Sequence, residues 1–147
     1  MKQLGIIIMT MLATCMLTAS CSSDDEYSYV DEINEANIKE SIIGTWHLLA
    51  YNNGWGDIHE YGAGEITVIF KENGEMTVVN KTGDNYPIPT ATFSYSFVNI
   101  EKSIYNHEPA VGLLFNGLVY SCSFSKGLLH ISAEAYDGPG YSLKKLQ

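Results

Sequence analysis

The sequence contains no arginine, and its eight basic residues are all lysines, whereas aspartate and glutamate together number 17. The formal net charge is −9 at pH 7. Phosphate recognition favours bidentate guanidinium groups, and nucleic-acid binding requires a basic patch. We therefore expect no nucleic-acid partner. The chain also lacks the basic surface with which a protein binds anionic lipid head groups.

Cysteine is scarce as well, with three residues at positions 15, 21 and 122. Cys15 belongs to the N-terminal export segment and Cys21, directly after it, is expected to carry a lipid, so no internal disulfide is expected in the mature chain. Cys122 alternates with Tyr120 and Phe124, which is typical of one face of a strand. No adjacent histidine or lysine would activate its thiol. We interpret Cys122 as a small core residue.

Motifs for known catalytic chemistry are absent. The sequence has no Gly-x-Ser-x-Gly nucleophile turn and no phosphate-binding loop. Asp57, His59 and Glu60 are close together in the chain, but they lack the spacing of zinc ligands. Solvated loop charges are the simpler interpretation. We therefore predict that the protein is not an enzyme and needs no metal or cofactor.

The longest apolar stretch lies at the N-terminus. Residues 4–17 are almost wholly apolar, they follow the positively charged start Met1-Lys2-Gln3, and small residues occupy positions 19 and 20. This pattern indicates a cleaved export signal over residues 1–20. A stretch of about 14 residues is shorter than the ~20 that span a bilayer, so a lasting transmembrane anchor is not expected.

The end of this segment, Leu17-Thr18-Ala19-Ser20-Cys21, resembles the bacterial lipoprotein signal, although Thr18 stands where leucine is usual. The resemblance implies that Cys21 is the lipid-modified first residue and anchors the protein in a membrane. Ordinary cleavage near Ala19, followed by secretion, is the alternative. The acidic residues 24–26 resemble the tag that sends lipoproteins of Bacteroides-type bacteria to the cell surface, which implies the outer membrane. An acidic run is also what a solvated linker contains, so a periplasmic location stays open.

The mature chain divides into a tether and one domain. Residues 21–32 are polar and acidic, with too little apolar surface to order themselves. Residues 33–42 have the spacing of a short amphipathic helix. From residue 45 onward the apolar period is two, which predicts eight or nine short antiparallel strands in a closed barrel or a sandwich. The predicted strands include 45–51, 66–70, 93–97, 100–105, 111–115, 118–124, 128–133 and 141–146.

The segment Ile43-Gly44-Thr45-Trp46-His47-Leu48 resembles the Gly-x-Trp opening of lipocalins, and residues 66–74 are similar to a hairpin of small lipocalin-like lipoproteins. The resemblance covers about residues 38–146. It implies an all-β, antiparallel up-and-down, lipocalin-like (calycin-like) β-barrel of about eight strands over residues 33–147, with a short N-terminal helix closing one end under Trp46. Lipocalins stack an arginine on that tryptophan. Here Lys144 or Lys145 substitutes, or the contact is missing.

Aromatic side chains are the candidate binding residues. Residues 51–61 form a predicted glycine-rich first loop, which lipocalin-like barrels use as a lid. The interior of an eight-stranded barrel either is filled by side chains or holds one small ligand. If a small apolar or glycan-like ligand binds at the mouth, we expect contacts from Trp46, Tyr51, Trp55, Tyr61, Phe93, Tyr95, Phe97 and Tyr120. If these aromatics are ordinary core, the protein is a structural or protein-interaction module of the envelope.

Overall fold

The computed structural model of the chain describes residues 35–146. The export signal 1–20, the lipid-anchor residue Cys21 and the tether 21–32 lie outside the described residues, as do residues 33 and 34 of the predicted helix. Over the part that is described, no helix is both long enough and apolar enough to cross a bilayer.

One helix and nine strands make up this part of the chain. The helix lies within the segment predicted from its amphipathic spacing, and most strands lie in segments with an apolar period of two. Glycine, asparagine or proline lies in most of the intervening turns. The elements are α1 (Glu35–Ile42), β1 (Gly44–Asn52), β2 (Ile58–Glu60), β3 (Ile66–Phe70), β4 (Glu75–Asn80), β5 (Ala91–Ile100), β6 (Ala110–Phe115), β7 (Leu118–Ser125), β8 (Leu128–Ala133) and β9 (Gly140–Lys145).

The sheet closes on itself as a barrel. Strands β1 and β3 to β9 pair antiparallel in the order of the chain, and β9 returns to pair with β1. Strand β2 pairs with the last residues of β1 and lies outside this ring. The prediction of an eight-stranded, antiparallel, up-and-down barrel with one short helix is confirmed, and the sandwich alternative is excluded. Closure leaves no open sheet edge in the ring.

The inward faces follow the period of two. Along β8, Leu129, Ile131 and Ala133 are buried and their neighbours are more exposed, because successive side chains of a strand point to opposite faces. The hairpin turns Asn116-Gly117 and Lys126-Gly127 have positive φ at both residues. That conformation matches the twist of the flanking strands, so these turns fix the β6–β7 and β7–β8 pairings.

The prediction of a strand over residues 100–105 is wrong. Strand β5 ends at Ile100, and residues 101–109 form a loop. The backbone N–H of Ile104 donates to the Glu134 carboxylate at 2.8 Å, and Ser103 Oγ donates to the same carboxylate at 2.7 Å. This loop therefore bonds to the end of β8 through a side chain, which a period-two pattern cannot reveal.

Helix α1 closes one end of the barrel, as the lipocalin resemblance implies. Ile38 and Ile42 are buried, and Trp46 Nε1–H donates to the carbonyl of Ile42 at 2.7 Å. The Lys145 ammonium lies 5.3 Å from the centre of the Trp46 ring and donates to the carbonyl of Ser41 at 3.0 Å. Of the two lysines considered, Lys145 thus supplies the cation on the tryptophan.

The interior of the barrel is filled by side chains. The cavity at its centre measures about 20 Å³, which is room for about one water molecule. Its walls are apolar, and Ile88 enters from the β4–β5 loop. The lining residues are Leu48, Val68, Phe70, Met76, Ile88, Phe115, Ile131, Tyr141 and Leu143.

Candidate functional site

The structure divides the predicted binding residues between the two ends of the barrel. Trp46 lies over α1, and the Phe97 ring lies 5.6 Å from the Lys39 ammonium of the same helix. Tyr95 contacts the rings of Phe97 and Phe70 and donates to the carbonyl of Lys71. Phe93, directly opposite Met76 of β4, is half-buried against the core. These four candidates are part of the packed core rather than of the mouth.

Tyr51 and Tyr120 lie at the other end, which we call the mouth, and Tyr141 joins them. The ring of Tyr51 is 5.2 Å from that of Tyr141, and the ring of Tyr141 is 6.1 Å from that of Tyr120. Tyr86, on the β4–β5 loop, packs edge-on to Tyr51 at 5.2 Å and to His59 at 5.3 Å. We call Tyr51, His59, Tyr86, Tyr120 and Tyr141 the tyrosine cluster. It closes the mouth above the filled interior.

Burial keeps the phenols of Tyr51, Tyr120 and Tyr141 neutral. Desolvation is the largest cause that raises the pKa of Tyr51 to about 12, and a hydrogen bond with Tyr86 adds to it. Desolvation likewise raises the pKa of Tyr141, of Tyr120 and of Tyr61, which is half-buried against the core. At neutral pH these hydroxyls donate and accept hydrogen bonds but do not act as bases.

The cluster predicts a loss of stability in alkali. The folded pKa of Tyr51 lies above the ordinary value of 10.0, so its contribution is complete below about pH 10 and disappears as pH rises through about 12. We expect the free energy of unfolding to fall over this range in denaturant titrations, together with a late rise in tyrosinate absorbance. Tyr51→Phe should reduce the loss, whereas Tyr136→Phe, at an exposed ring, should not. An equal effect of the two variants would contradict this assignment.

The tip of the first loop is folded tightly. Asn53 Oδ1 accepts hydrogen bonds from the backbone N–H groups of Trp55 at 2.8 Å and Asp57 at 3.2 Å. A Cβ atom added to Gly54 would lie 1.9 Å from the carbonyl oxygen of Asp137. The first loop and the β8–β9 loop are therefore in direct backbone contact, and only glycine allows that approach.

Large apolar side chains on these two loops, on β2 and on the β4–β5 loop face solvent. The exposed fractions are 78% for Trp55, 64% for Ile58, 42% for Tyr86 and 88% for Tyr136. We call these four residues the mouth surface. Carboxylates occur beside them in the chain, among them Asp57 and Asp137. Such a surface offers apolar and aromatic faces together with hydrogen-bond acceptors.

Trp55 was predicted from its place in a glycine-rich loop, whereas Tyr86, Tyr136 and Tyr141 were missed. Tyr141 could have been found, because it alternates with the buried Leu143 on the inward face of β9. Tyr86 and Tyr136 lie in loops, where no periodic signal exists. The only local signal is a neighbouring turn residue, Pro87 after Tyr86 and Asp137 after Tyr136.

The structure bears on two chemical alternatives, a reactive thiol at Cys122 and a metal site formed by Asp57, His59 and Glu60. Cys122 is buried, and desolvation raises the pKa of its thiol to about 12, which keeps it a thiol at neutral pH. Within residues 35–146 no three side chains of histidine, cysteine, aspartate or glutamate come together as a metal site. Asp57, His59 and Glu60 are accordingly not assembled around a common point.

A comparison of the chain with protein-family models finds no match, and a search of curated proteins finds none either. The geometry of the mouth is therefore the basis for assigning a function.

Proposed function

We propose that the protein is a lipid-anchored lipoprotein of the outer membrane that binds a neutral, glycan-like ligand on its mouth surface. The barrel serves as a rigid scaffold, and the role of the mouth surface is binding rather than catalysis. The observation that carries this proposal is the exposure of Trp55, Ile58, Tyr86 and Tyr136, on β2 and the loops beside it, above a filled interior.

The size of the interior supports binding on the outside of the mouth. Small-molecule sites begin near ~300 Å³, whereas the central cavity measures about 20 Å³. The tyrosine cluster lies between that cavity and solvent, with Tyr141 lining the cavity and Tyr86 partly exposed. A ligand that leaves the packing intact must therefore contact the loops.

The chemistry of the mouth surface supports a neutral ligand. The chain is strongly acidic, which disfavours anions. Aromatic faces such as those of Trp55 and Tyr136 can pack against the C–H face of a sugar ring, and carboxylates such as Asp57 accept hydrogen bonds from its hydroxyls.

Retention in gels that contain a neutral polysaccharide tests this proposal. We expect starch, xylan or mannan to slow the migration of the native protein, and Trp55→Ala or Tyr136→Ala to weaken retention about tenfold or more. Leu146→Ala is the matched control, because it removes an exposed apolar side chain next to Lys145, at the α1 end. Unchanged migration in all three polysaccharides would contradict the proposal.

A protein partner is the second candidate, and Ile58 is the observation that favours it. An aliphatic side chain that is 64% exposed beside an exposed tryptophan fits the apolar centre of a protein interface. Under this function, envelope extracts yield one stoichiometric partner for the native protein. Ile58→Lys abolishes its capture and Leu146→Lys preserves it. Equal capture by both variants would rule out the mouth surface as the interface.

The anchor has its own test. Cys21→Ser removes the only residue that the lipoprotein signal would modify, so we expect the variant to leave the membrane fraction and become soluble. Digestion of intact cells by an added protease distinguishes the cell surface from the periplasmic face. A Cys21→Ser protein that stays in the membrane would contradict lipid anchoring.

A further inference from the structure

A separate group of polar side chains lies on the outer wall of the barrel. His130 Nε2 is 3.0 Å from Ser125 Oγ, and His130 Nδ1 is 3.1 Å from Ser142 Oγ. An imidazole between two hydroxyls matches the arrangement in which a base activates a serine while a third group orients the base. We call Ser125, His130 and Ser142 the outer-wall triad.

Strand register brings the triad together. His130 lies directly opposite Ser142 of β9 and Ser123 of β7. Its neighbours Leu129 and Ile131 point into the barrel, so the His130 side chain points outward. Ser125 is the last residue of β7 and is exposed, whereas His130 and Ser142 are half-buried. Solvent thus reaches the hydroxyl of Ser125 while the base and its orienting partner are shielded.

We propose that Ser125 is a nucleophile that accepts small acyl groups from esters, with His130 as its general base and Ser142 as a positioning residue. In the productive tautomer, His130 Nδ1–H donates to Ser142 Oγ. The lone pair of Nε2 then accepts the hydrogen bond from Ser125 Oγ–H. A hydroxyl on Nδ1 therefore selects the tautomer that leaves Nε2 free to take a proton.

The reaction balances without any co-reactant other than water. Ser125 Oγ forms a bond to the ester carbonyl carbon as its proton passes to His130 Nε2. The bond from that carbon to the alcohol oxygen breaks, and His130 returns the proton to the departing alcohol. Water then attacks the acyl-serine with His130 as base, which releases the carboxylic acid and restores Ser125.

Strand register and chain order place two lysines near Ser125. Ser125 pairs with Leu128, and Leu128 pairs with Lys144, so all three lie in one row across the wall. Lys126 follows Ser125 directly in the turn. Cations beside the attacked carbonyl stabilise the oxyanion of the tetrahedral intermediate. Because Ser125 lies on an exposed wall, the substrate class is an ester whose carbonyl group is accessible from solvent.

This activity would be separate from ligand binding at the mouth. Ser125 of β7 pairs with Leu128, the first residue of β8. The β8–β9 loop of the mouth surface follows Ala133, at the opposite end of β8. The two proposals therefore succeed or fail independently, and variants of one site serve as folding controls for the other.

The test uses p-nitrophenyl acetate with the mature protein. We expect a burst of p-nitrophenol and an acetyl group on Ser125 in peptide mass spectra. Ser125→Ala should lower the burst rate by at least about tenfold, and Ser123→Ala, on the same face of β7, should leave it unchanged. Ser142→Ala should slow acetylation without changing its final stoichiometry, and Ser142→Thr should restore the rate because it keeps the hydroxyl.

Two results would overturn the proposal. One is an acetyl group found on His130 or a lysine, with an undiminished burst in Ser125→Ala, which would mean direct attack by those side chains. The other is a native protein that gives no burst and no acetyl-serine. Circular dichroism of Ser125→Ala checks that the barrel is folded, as expected for a change at an exposed residue.

Discussion

Trp46→Ala is expected to cost about 3–5 kcal/mol of the free energy of unfolding. The side chain is 2% exposed and is the largest fully buried one described. Its removal leaves a cavity between α1 and the sheet, where the Trp46 ring lies 6.2 Å from that of Phe124. The carbonyl of Ile42 also loses its hydrogen bond, and the Lys145 ammonium loses the ring beneath it. Denaturant titration of the two proteins measures the difference.

Two variants make this prediction specific. Trp46→Phe keeps an aromatic ring but removes the donor to Ile42, so we expect a smaller loss of about 1–2 kcal/mol. Trp55→Ala removes the other tryptophan, which is 78% exposed, and should change stability by less than about 0.5 kcal/mol. A Trp46→Ala protein as stable as Trp55→Ala would show that α1 does not close the barrel as described.

Gly54→Ala is expected to separate the two loops of the mouth. The added Cβ would lie 1.9 Å from the carbonyl oxygen of Asp137 and 2.4 Å from its carbon, and φ at this residue is +87°. Backbone atoms on both sides must move, so we expect a cost of about 1–3 kcal/mol. Because Trp55 and Tyr136 adjoin the two contacting residues, retention by a neutral polysaccharide should weaken about tenfold or more.

Gly56→Ala is the matched control, because Gly56 has φ +101° but its added Cβ would meet no atom within 4 Å. Both variants carry the backbone cost of a left-handed conformation, about 1–2 kcal/mol, and only Gly54→Ala carries the collision. We expect Gly54→Ala to be the more destabilising and the poorer binder. Equal stability and equal retention would mean that the contact between the loops has no part in shaping the mouth surface.

Periodicity explains why so much of the barrel could be predicted. Ile66, Val68 and Phe70 alternate with partly exposed neighbours, as a strand with one buried face requires. Trp46 could be placed because the lipocalin resemblance implies a helix and a cation beside that ring, whereas the choice between Lys144, Lys145 and a missing contact required the structure. The predicted strand at 100–105 failed because side-chain bonds from Glu134 hold that loop, and no local pattern encodes a partner so distant in the chain.

The candidate sites were harder to predict because they depend on register between strands. A register shift between Leu48 and Ala50 in β1 turns Tyr51 inward, whereas strict alternation from Trp46 and Leu48 would place Ala50 there. The pairing of His130 with Ser142 follows from β8–β9 register, and sequence alone gave His130 no partner. Alternation along one strand made Phe93 and Phe97 candidates either for the mouth or for the core, and in the structure these rings pack against the core.

The central claim is that the barrel is filled and that ligands bind outside it, and methyl NMR of the mature protein tests it most directly. We would titrate the protein with 1-octanol, a neutral apolar probe, and follow Leu48, Val68 and Ile131, which line the cavity, against Ile58 on the mouth surface. The structure predicts unchanged resonances for the three interior residues, with any shift confined to Ile58. Saturable shifts of the interior methyl groups would contradict the claim.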